Sequence, residues 1–421
     1  MLKWIFTFPL FLVVLLSAHG GEQWYKGNTH THTFWSDGND FPERVTRWYV
    51  ENGYQFLILS DHNILSRGEK WMPVSKLKER GGNDILDKYA ASFGSDWIDS
   101  RGQPGTASHQ IRLKTLAEFR EKFEVPNQFL MIEGEEISDS AEDVPVHLNA
   151  INIQSVIEPA GGATALDALK GNVRVVARHS RVTKKPVLLH LNHPNFHYAI
   201  TAEELASVIQ QDFFEICNTS SDCNQLGDAF HPSMDRFWDI ANTIRLGKLQ
   251  SPPLFGVGDD DAHHYHGRGD SPPGGSFVMV RSNSLTPAAL ITAMQVGDFY
   301  SSSGVLLKDV RFYQRKQKYE IDIDTEDGVN YTTQFIGTLR DADLSSMPRP
   351  GKGGQPQRAT RIYSEDVGKV LATVQGAHAS YTLSGKELYV RAVITSDKKH
   401  ALPTYPGQLQ QAWVQPVGWR R

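Results

Sequence analysis

Apolar strands that run, one after another, into clusters of His, Asp, Glu and Asn constrain the fold of this chain more than any other feature. Phe56-Leu57-Ile58-Leu59-Ser60 leads to Asp61-His62-Asn63, and Phe129-Leu130-Met131-Ile132 leads to Glu133-Gly134-Glu135-Glu136. Leu148 to Ile151 follows Val146-His147, Pro186 to Leu189 leads to His190-Leu191-Asn192-His193-Pro194-Asn195, and Phe213 to Ile216 reads as a further strand. The last cluster is Gly258-Asp259-Asp260-Asp261-Ala262-His263-His264. Pro42 to Asn52, Leu113 to Phe123 and Ala202 to Gln210 read as helices between these strands; the last is capped by Thr201 and carries Glu203 and Glu204 in its first turn, where they suit the helix dipole. Strands alternating with helices predict a βα-repeating α/β domain from Gly21 to about Val305. Such a domain collects its chemistry at the C-terminal ends of its strands, where these clusters lie.

The most telling stretch is Gly27-Asn28-Thr29-His30-Thr31-His32, followed by Ser36-Asp37-Gly38. Residues two apart on a strand leave the same face, so His30 and His32 can reach one cation, and Asp37 follows in a Gly-containing loop. Imidazole and carboxylate are ligands for divalent Zn, Mn and Fe. A single such motif is weak, because a strand-terminal His or Asp often caps the next helix; their recurrence at successive strand ends is strong. The Asp259-Asp260-Asp261 run is expected to repel itself unless cations are bound, since buried carboxylates without partners cost several kcal/mol each.

A chain of 421 residues has room for a large domain and a smaller one, and a net charge of −5 gives no sign of nucleic-acid affinity. Lys3, the apolar run Trp4 to Leu16 and Ser17-Ala18-His19-Gly20 fit a cleaved secretory signal over residues 1–20, with an uncleaved anchor as the alternative. The apolar core is shorter than the roughly 20 residues of a spanning helix, so a periplasmic or secreted protein with no stable membrane span is expected. In an oxidising compartment Cys217 and Cys223 can close one small disulfide loop or stay as two free thiols, and they are too few for a zinc ribbon. The Gly-, Ser-, Asp- and Arg-rich stretch Ile64 to Gln110 breaks the rhythm and reads as a functional lid or a disordered insertion. Past Gly304 the alternation in Tyr319 to Asp324 and Glu387 to Ile394 predicts half-buried antiparallel strands, giving a small β-sandwich-like domain over 306–421 after a barrel over 21–305. Arg311, Arg315, Lys316 and Lys318 read as a solvated strand end, and Met347 to Gln357 as a hairpin loop or flexible excursion.

Taken together, His30-Thr31-His32 with Ser36-Asp37-Gly38, Ser60-Asp61-His62, Gly134-Glu135-Glu136-Ile137, Asn192-His193-Pro194 and Asp261-Ala262-His263 resemble the motifs of the PHP (polymerase and histidinol phosphatase) superfamily over about Trp24 to Val305. The exported, C-terminally extended form and the segment Gly297 to Gly304 look most like its carbaryl-hydrolase-type branch. The resemblance implies a distorted (β/α)7 barrel carrying two or three divalent ions (Zn, Mn or Fe). It implies that His30, His32, Glu136 and Asp261 hold a first ion. Glu136 would bridge to a second held by His193 and His147, and Asp37, His62 and His263 would hold a third. Glu135 is a rival to Glu136, but the motif places the ligand two residues after Gly134.

Among the neighbours, Asp61 reads as a partner that orients a ligand imidazole. His190 is either a core histidine or a site residue. His197, His264 and His266 are loop residues near the mouth, with His197 and His264 the candidates for general acid, and Arg268 is placed to clamp an anionic substrate. His109, His179, His231, His378 and His400 match no motif. The expected activity is metal-assisted hydrolysis of a small anionic ester, a phosphoric ester first and a carboxylic or carbamate ester on the same site as the alternative. An alternative of another class is a non-catalytic exported binding protein with a metal-stabilised scaffold.

Overall fold

A computed structural model describes residues 21–267, 269–355 and 357–420; the expected signal segment over 1–20 and Arg268 lie outside the described residues. The chain opens with β1 (Gln23–Asn28), α1 (Pro42–Glu51) and β2 (Phe56–Leu59). Every residue of β2 is apolar and buried, the pattern of a parallel strand covered on both faces. α1 starts on Pro42, whose missing N–H costs nothing in a first helical turn.

The next segment corrects the expectation of a lid or disordered insertion. It folds as β3 (Lys70–Pro73), α2 (Val74–Gly81), α3 (Ile85–Phe93), β4 (Ser100–Arg101) and β5 (Gln110–Leu113), with the strands in a separate antiparallel sheet of order β3-β5-β4. Met72, Leu77, Ile85, Tyr89, Ile111 and Leu113 bury against Phe34, Trp35 and Phe41. Its many Gly and Ser residues hide an apolar set large enough to close a core of its own.

α4 (Leu116–Phe123) begins on Thr115, which forms a reciprocal capping box with Glu118. β6 (Leu130–Ala141) is far longer than the strand expected at Phe129 to Ile132. It turns through Glu142 and Asp143, both left-handed (φ 54° and 60°), into β7 (Val144–Ile151). Two successive left-handed residues make the tight turn that suits a hairpin's twist. β7 is therefore antiparallel to β6 and to β8 (Leu188–Leu191), which follows α5 (Ala165–Thr183), and strict β/α alternation fails here. α6 (Ala202–Ser207) leads to β9 (Phe213–Asn218), and α7 (Met234–Thr243) to β10 (Phe255–Asp259).

These strands lie in the order β10-β9-β8-β7-β6-β2-β1. The β1–β2, β2–β6, β8–β9 and β9–β10 pairs are parallel. Beyond the strand ends an isolated parallel bridge joins Thr31 to Ala262, and the His32 N–H donates to the Ala262 carbonyl at 2.9 Å. The C-terminal ends of β1 and β10, at opposite ends of that order, thus come together.

β11 (Phe277–Ser282), α8 (Pro287–Gln295) and β12 (Phe299–Ser302) extend the sheet from the free edge of β1. β13 (Leu306–Tyr313), β14 (Lys318–Asp324), β15 (Tyr331–Leu339), β16 (Ser346–Met347), β17 (Ile362–Tyr363), β18 (Lys369–Gln375), β19 (His378–Thr382), β20 (Glu387–Lys399) and β21 (Leu409–Val417) complete the chain. β12 pairs with β21, so the order β12-β21-β20-β15-β18 continues the main sheet to 13 strands, while β13, β14 and β19 form a second sheet. Ile321, Ile323, Phe335, Ala392, Ile394 and Val414 from the two sheets share one core. The stretch expected as a hairpin loop or flexible excursion begins at the end of β16, which pairs with β17, and Arg311 is tied to Asp309 and Glu22 at the surface. Cys217 and Cys223 are buried and unbridged. Among the described residues no helix is long and apolar enough to cross a membrane.

Candidate metal centre

His30 and His32 sit just past the last residue of β1 rather than inside a ladder, but the Thr31–Ala262 bridge keeps them extended, and their rings lie 5.0 Å apart, both fully buried. His62 follows β2 and bridges to Glu136 on β6. His147 lies on β7 opposite Ser138, and the hairpin register brings it beside Glu136. His193 follows β8; Asp261 and His263 follow β10. His193 (φ 25°) and Asp261 (φ 51°) hold left-handed backbone that ordinary side chains rarely adopt, strain of the kind that persists where the surroundings over-determine a functional geometry.

Glu136 is the hub. Its Oε1 lies 3.4 Å from His30 Nε2, 3.1 Å from His147 Nδ1 and 3.4 Å from His193 Nε2; its Oε2 lies 3.4 Å from His32 Nε2 and 2.8 Å from His62 Nδ1. Asp261 Oδ1 is 3.1 Å from His30 Nε2, 3.2 Å from His32 Nε2 and 3.5 Å from His263 Nδ1. Asp37 reaches His62 and His263 at 3.3 Å each and His32 at 3.7 Å. Thus all nine residues expected as metal ligands come together.

A divalent cation fits this set. Two ligand atoms each about 2.1 Å from one ion stand about 3.0–3.4 Å apart, close to the separations seen here. His30 Nε2, His32 Nε2, Glu136 Oε2 and His147 Nδ1 are buried without a hydrogen-bond partner, and such unmet polar atoms are costly unless something else satisfies them. The donors fall into overlapping groups: His30, His32 and Glu136; His30, His193 and Asp261; His62, Glu136 and His147; and His32, Asp37, His62 and His263.

Burial opposes charge on His62, yet Glu136 and Asp37 outweigh it and raise its pKa to about 11. Against the same burial, neighbouring carboxylates raise His30, His193 and His263. Burial and the adjacent His263 and His62 push His32 down to about 4. Glu136 and Asp261 resist burial and stay well below the usual carboxylate range because imidazoles surround them. Ions binding here would displace protons that these imidazoles hold.

Several residues hold the donors in place. Glu215, which sequence reasoning passed over as part of an apolar strand, accepts the His30 Nδ1–H at 2.6 Å and the His193 backbone N–H at 2.7 Å, leaving His30 Nε2 to face the cluster. A lone carboxylate inside Phe213 to Cys217 was the available signal. Asn218 donates to Glu215 at 2.9 Å and to Asp261 at 3.2 Å, and Asn192 to Glu136 at 2.7 Å. Asp61 orients no imidazole: it accepts the N–H groups of Thr33 (2.8 Å) and Ser36 (2.9 Å) and so fixes the turn before Asp37.

The three consecutive aspartates do not form one repelling cluster. Asp259 accepts from Thr29 N–H and Oγ1, Asp260 from Tyr49 and the N–H groups of Gly274, Gly275 and Ser276, and only Asp261 faces the donors. His190 is buried with Nε2 3.2 Å from Thr29 Oγ1, and it groups with Glu215 and Asp259 beneath the donors. Glu135 points to the opposite face of β6 from Glu136, where it accepts the Ile157 N–H at 2.6 Å and burial raises it to about 8.

The donors floor a cleft of about 380 Å³ whose other lining includes Phe196, Ser220, Asp222, Cys223, His264, Asp270 and Ser271. His264 lines it; its Nδ1 accepts the Ser271 N–H at 3.3 Å, which puts the proton of the neutral ring on Nε2. His197 does not line it, because the left-handed turn at His197 and Tyr198 sends that side chain to solvent while Phe196 faces inward. His266 is likewise outside the cleft lining and sits 3.5 Å from Asp40.

No family model and no curated protein matches the chain. Among solved structures it is similar to a two-domain Bacteroides vulgatus protein described as containing a PHP-like metal-dependent phosphoesterase, with a TM-score of 0.38, 14% identity, and coverage of 94% of this chain and 95% of that one. A candidate metal-dependent phosphoesterase from Bifidobacterium adolescentis gives a TM-score of 0.29 and 12% identity over 59% of this chain and 92% of that one. An amidohydrolase from Chromobacterium violaceum, with bound sulfate and no metal, gives 0.29 and 14% over 65% of this chain and 96% of that one.

Proposed function

We propose that this chain is a metal-dependent hydrolase that cleaves a phosphoric ester with an activated water. The observation that carries the reading is the convergence of nine His, Asp and Glu donors, four of whose buried atoms have no partner within the protein. His30, His32, Glu136, His193 and Asp261 would hold ions at the buried base of the cleft, and Asp37, His62, His147 and His263 nearer its mouth. Bound divalent ions would supply a water of lowered pKa and positive charge for the substrate's non-bridging oxygens. Among the described residues no Lys or Arg lines the cleft.

The chain's own residues complete the arrangement. Glu215, Asn192 and Asn218 fix three donors before substrate arrives, so little reorganisation is needed. His264, with the proton of its neutral ring on Nε2, is placed to hydrogen-bond a substrate oxygen in the cleft. The working unit is a distorted (β/α)7 barrel over 21–305, with a β-rich accessory unit over 306–421, exported after removal of residues 1–20.

Elemental analysis of the purified protein, with a panel of phosphomonoester, phosphodiester and aryl carboxylic ester substrates, tests the proposal. Bound Zn, Mn or Fe and phosphoester turnover that a chelator abolishes are expected. Turnover of the carboxylic ester alone would overturn the phosphoesterase reading, and a protein that binds no divalent ion would overturn the whole.

A further inference from the structure

Among the nine donors, Asp37 is the one whose side chain is more than half exposed, at 55%, against 0% for His30, His32 and Glu136. It also stands on a turn rather than at a strand end: residues 34–37 carry no strand pairing. Asp61 holds the start of that turn at Thr33 and Ser36. The two carbonyls that flank Asp37 are held from elsewhere. Lys70 Nζ donates to the Trp35 carbonyl, and Arg80 donates to the Gly38 carbonyl.

Both cations belong to the packed insertion formed by β3, α2, α3, β4 and β5. The same insertion grips the turn by its side chains. The Trp35 indole donates to the Lys114 carbonyl at 3.0 Å, the Arg80 guanidinium lies 5.1 Å from the centre of the Phe34 ring, and Tyr89 stacks on Phe41 at 3.7 Å. The fit is close on both sides of the turn. A Cβ at Gly38 would lie 2.4 Å from the His32 carbonyl oxygen, and one at Gly81 would lie 2.8 Å from the Asn39 carbonyl oxygen.

We infer that this insertion is a clamp that builds the outer part of the metal centre: through Lys70 and Arg80 it fixes the Asp37 turn, and so sets how tightly the cation nearest the cleft mouth is held. Lys70 and Arg80 are positioning residues that touch no donor side chain. The buried donors are anchored separately, by Glu215, Asn192 and Asn218, whose hydrogen bonds to the donors involve no residue of the insertion. The inference rests on the metal reading above, and it makes the ions unequal in a way that the donor types alone do not.

Titration of the full-length protein with Mn2+ and, separately, Zn2+ against a competing chelator tests it. In the wild type a weakest-bound class of ions is expected beside one or more tighter classes. Lys70→Met with Arg80→Met is expected to weaken that class by about tenfold, the scale of a lost charge-assisted hydrogen bond, and to leave the tighter classes within about twofold. Arg80→Lys and Lys70→Arg, which keep a donor for each carbonyl, are expected to retain wild-type affinity. If the double variant does not fold, Arg80→Met alone carries the test, with a weakening of about threefold. An unchanged weakest class, equal weakening of every class, or a single uniform class in the wild type would overturn the clamp while leaving the metal centre standing. A wild type that binds neither ion would overturn both.

Discussion

Two buried clusters of charge in this molecule look alike in composition and differ in what they leave undone. At the junction of α7 and β20, Arg391 is fully buried and donates from Nε and Nη2 to the two oxygens of Asp239 at 2.8 and 2.7 Å and from Nη1 to Asp235 at 2.9 Å. Tyr389 adds a hydrogen bond to Asp239 at 2.7 Å, and Trp238 lies under the guanidinium at 4.7 Å. No atom of this group lacks a partner. Around Glu136 the ionisable groups are more numerous, yet four of their buried atoms lack a hydrogen-bond partner within the protein. A closed ion pair is complete as a structure, whereas the Glu136 cluster needs a further positive centre to satisfy it.

That contrast can be broken most severely at its hub. Glu136→Gln removes the one carboxylate shared by five imidazoles, and it is expected to abolish stoichiometric metal binding and to lower turnover by about a thousandfold or more, measured by elemental analysis and steady-state assay. A variant that keeps its metal would show that the carboxylate is not the hub. The opposite cluster is expected to respond in stability alone. Arg391→Met strands Asp239 in the interior and is expected to cost about 3–5 kcal/mol in denaturant unfolding, with metal content unchanged in the folded fraction. Loss of metal on that substitution would erase the distinction between the two clusters.

A smaller effect sharpens it further through pH. His62 has its pKa raised from 6.5 to about 11, so the protonated form stabilises the metal-free fold fully below 6.5 and loses that contribution as pH climbs toward 11. His30, His193 and His263 are shifted in the same direction. Ions that replace these protons therefore gain as pH rises, and the metal-induced increase in melting temperature is expected to be larger at pH 8 than at pH 6. An equal or reversed difference in thermal unfolding would show that the cluster holds no displaceable protons.

Much of the site was legible from residue type and spacing, because a donor placed at a strand end announces itself by interrupting an apolar run. His62, His193, Asp261 and His263 follow that pattern, His30 and His32 show by their two-residue spacing and Glu136 by its place in Gly134-Glu135-Glu136, and all of them converge. What was hidden depended on contacts between distant segments. Glu215 is a single charge in a strand, and its role exists only because the chain brings His30 and the His193 amide to it. Asp259 and Asp260 look like part of one acidic cluster in the sequence because their partners, Thr29 and the amides of Gly274 to Ser276, lie on other segments. The hairpin between β6 and β7 escaped notice because its turn residues, Glu142 and Asp143, lack the Asn or Gly that normally marks left-handed backbone. The insertion reads as a lid or a disordered stretch because its apolar residues are spread thinly among Gly and Ser. His197 is near the donors in sequence alone, and the left-handed pair His197 and Tyr198 turns it away.

That hairpin also has a bearing on the order in which the site can come into being. Glu136 and His147 meet across a tight turn, so their approach needs little chain closure and belongs to the fast, local events of folding. Thr29 and Asp259, by contrast, are 230 residues apart in sequence, and the Thr31–Ala262 bridge beside them joins segments just as distant. A chain emerging from the ribosome therefore carries most of the donors before the segment that contributes Asp261 and His263 exists, and the ring can close around its contents only after that segment has been made.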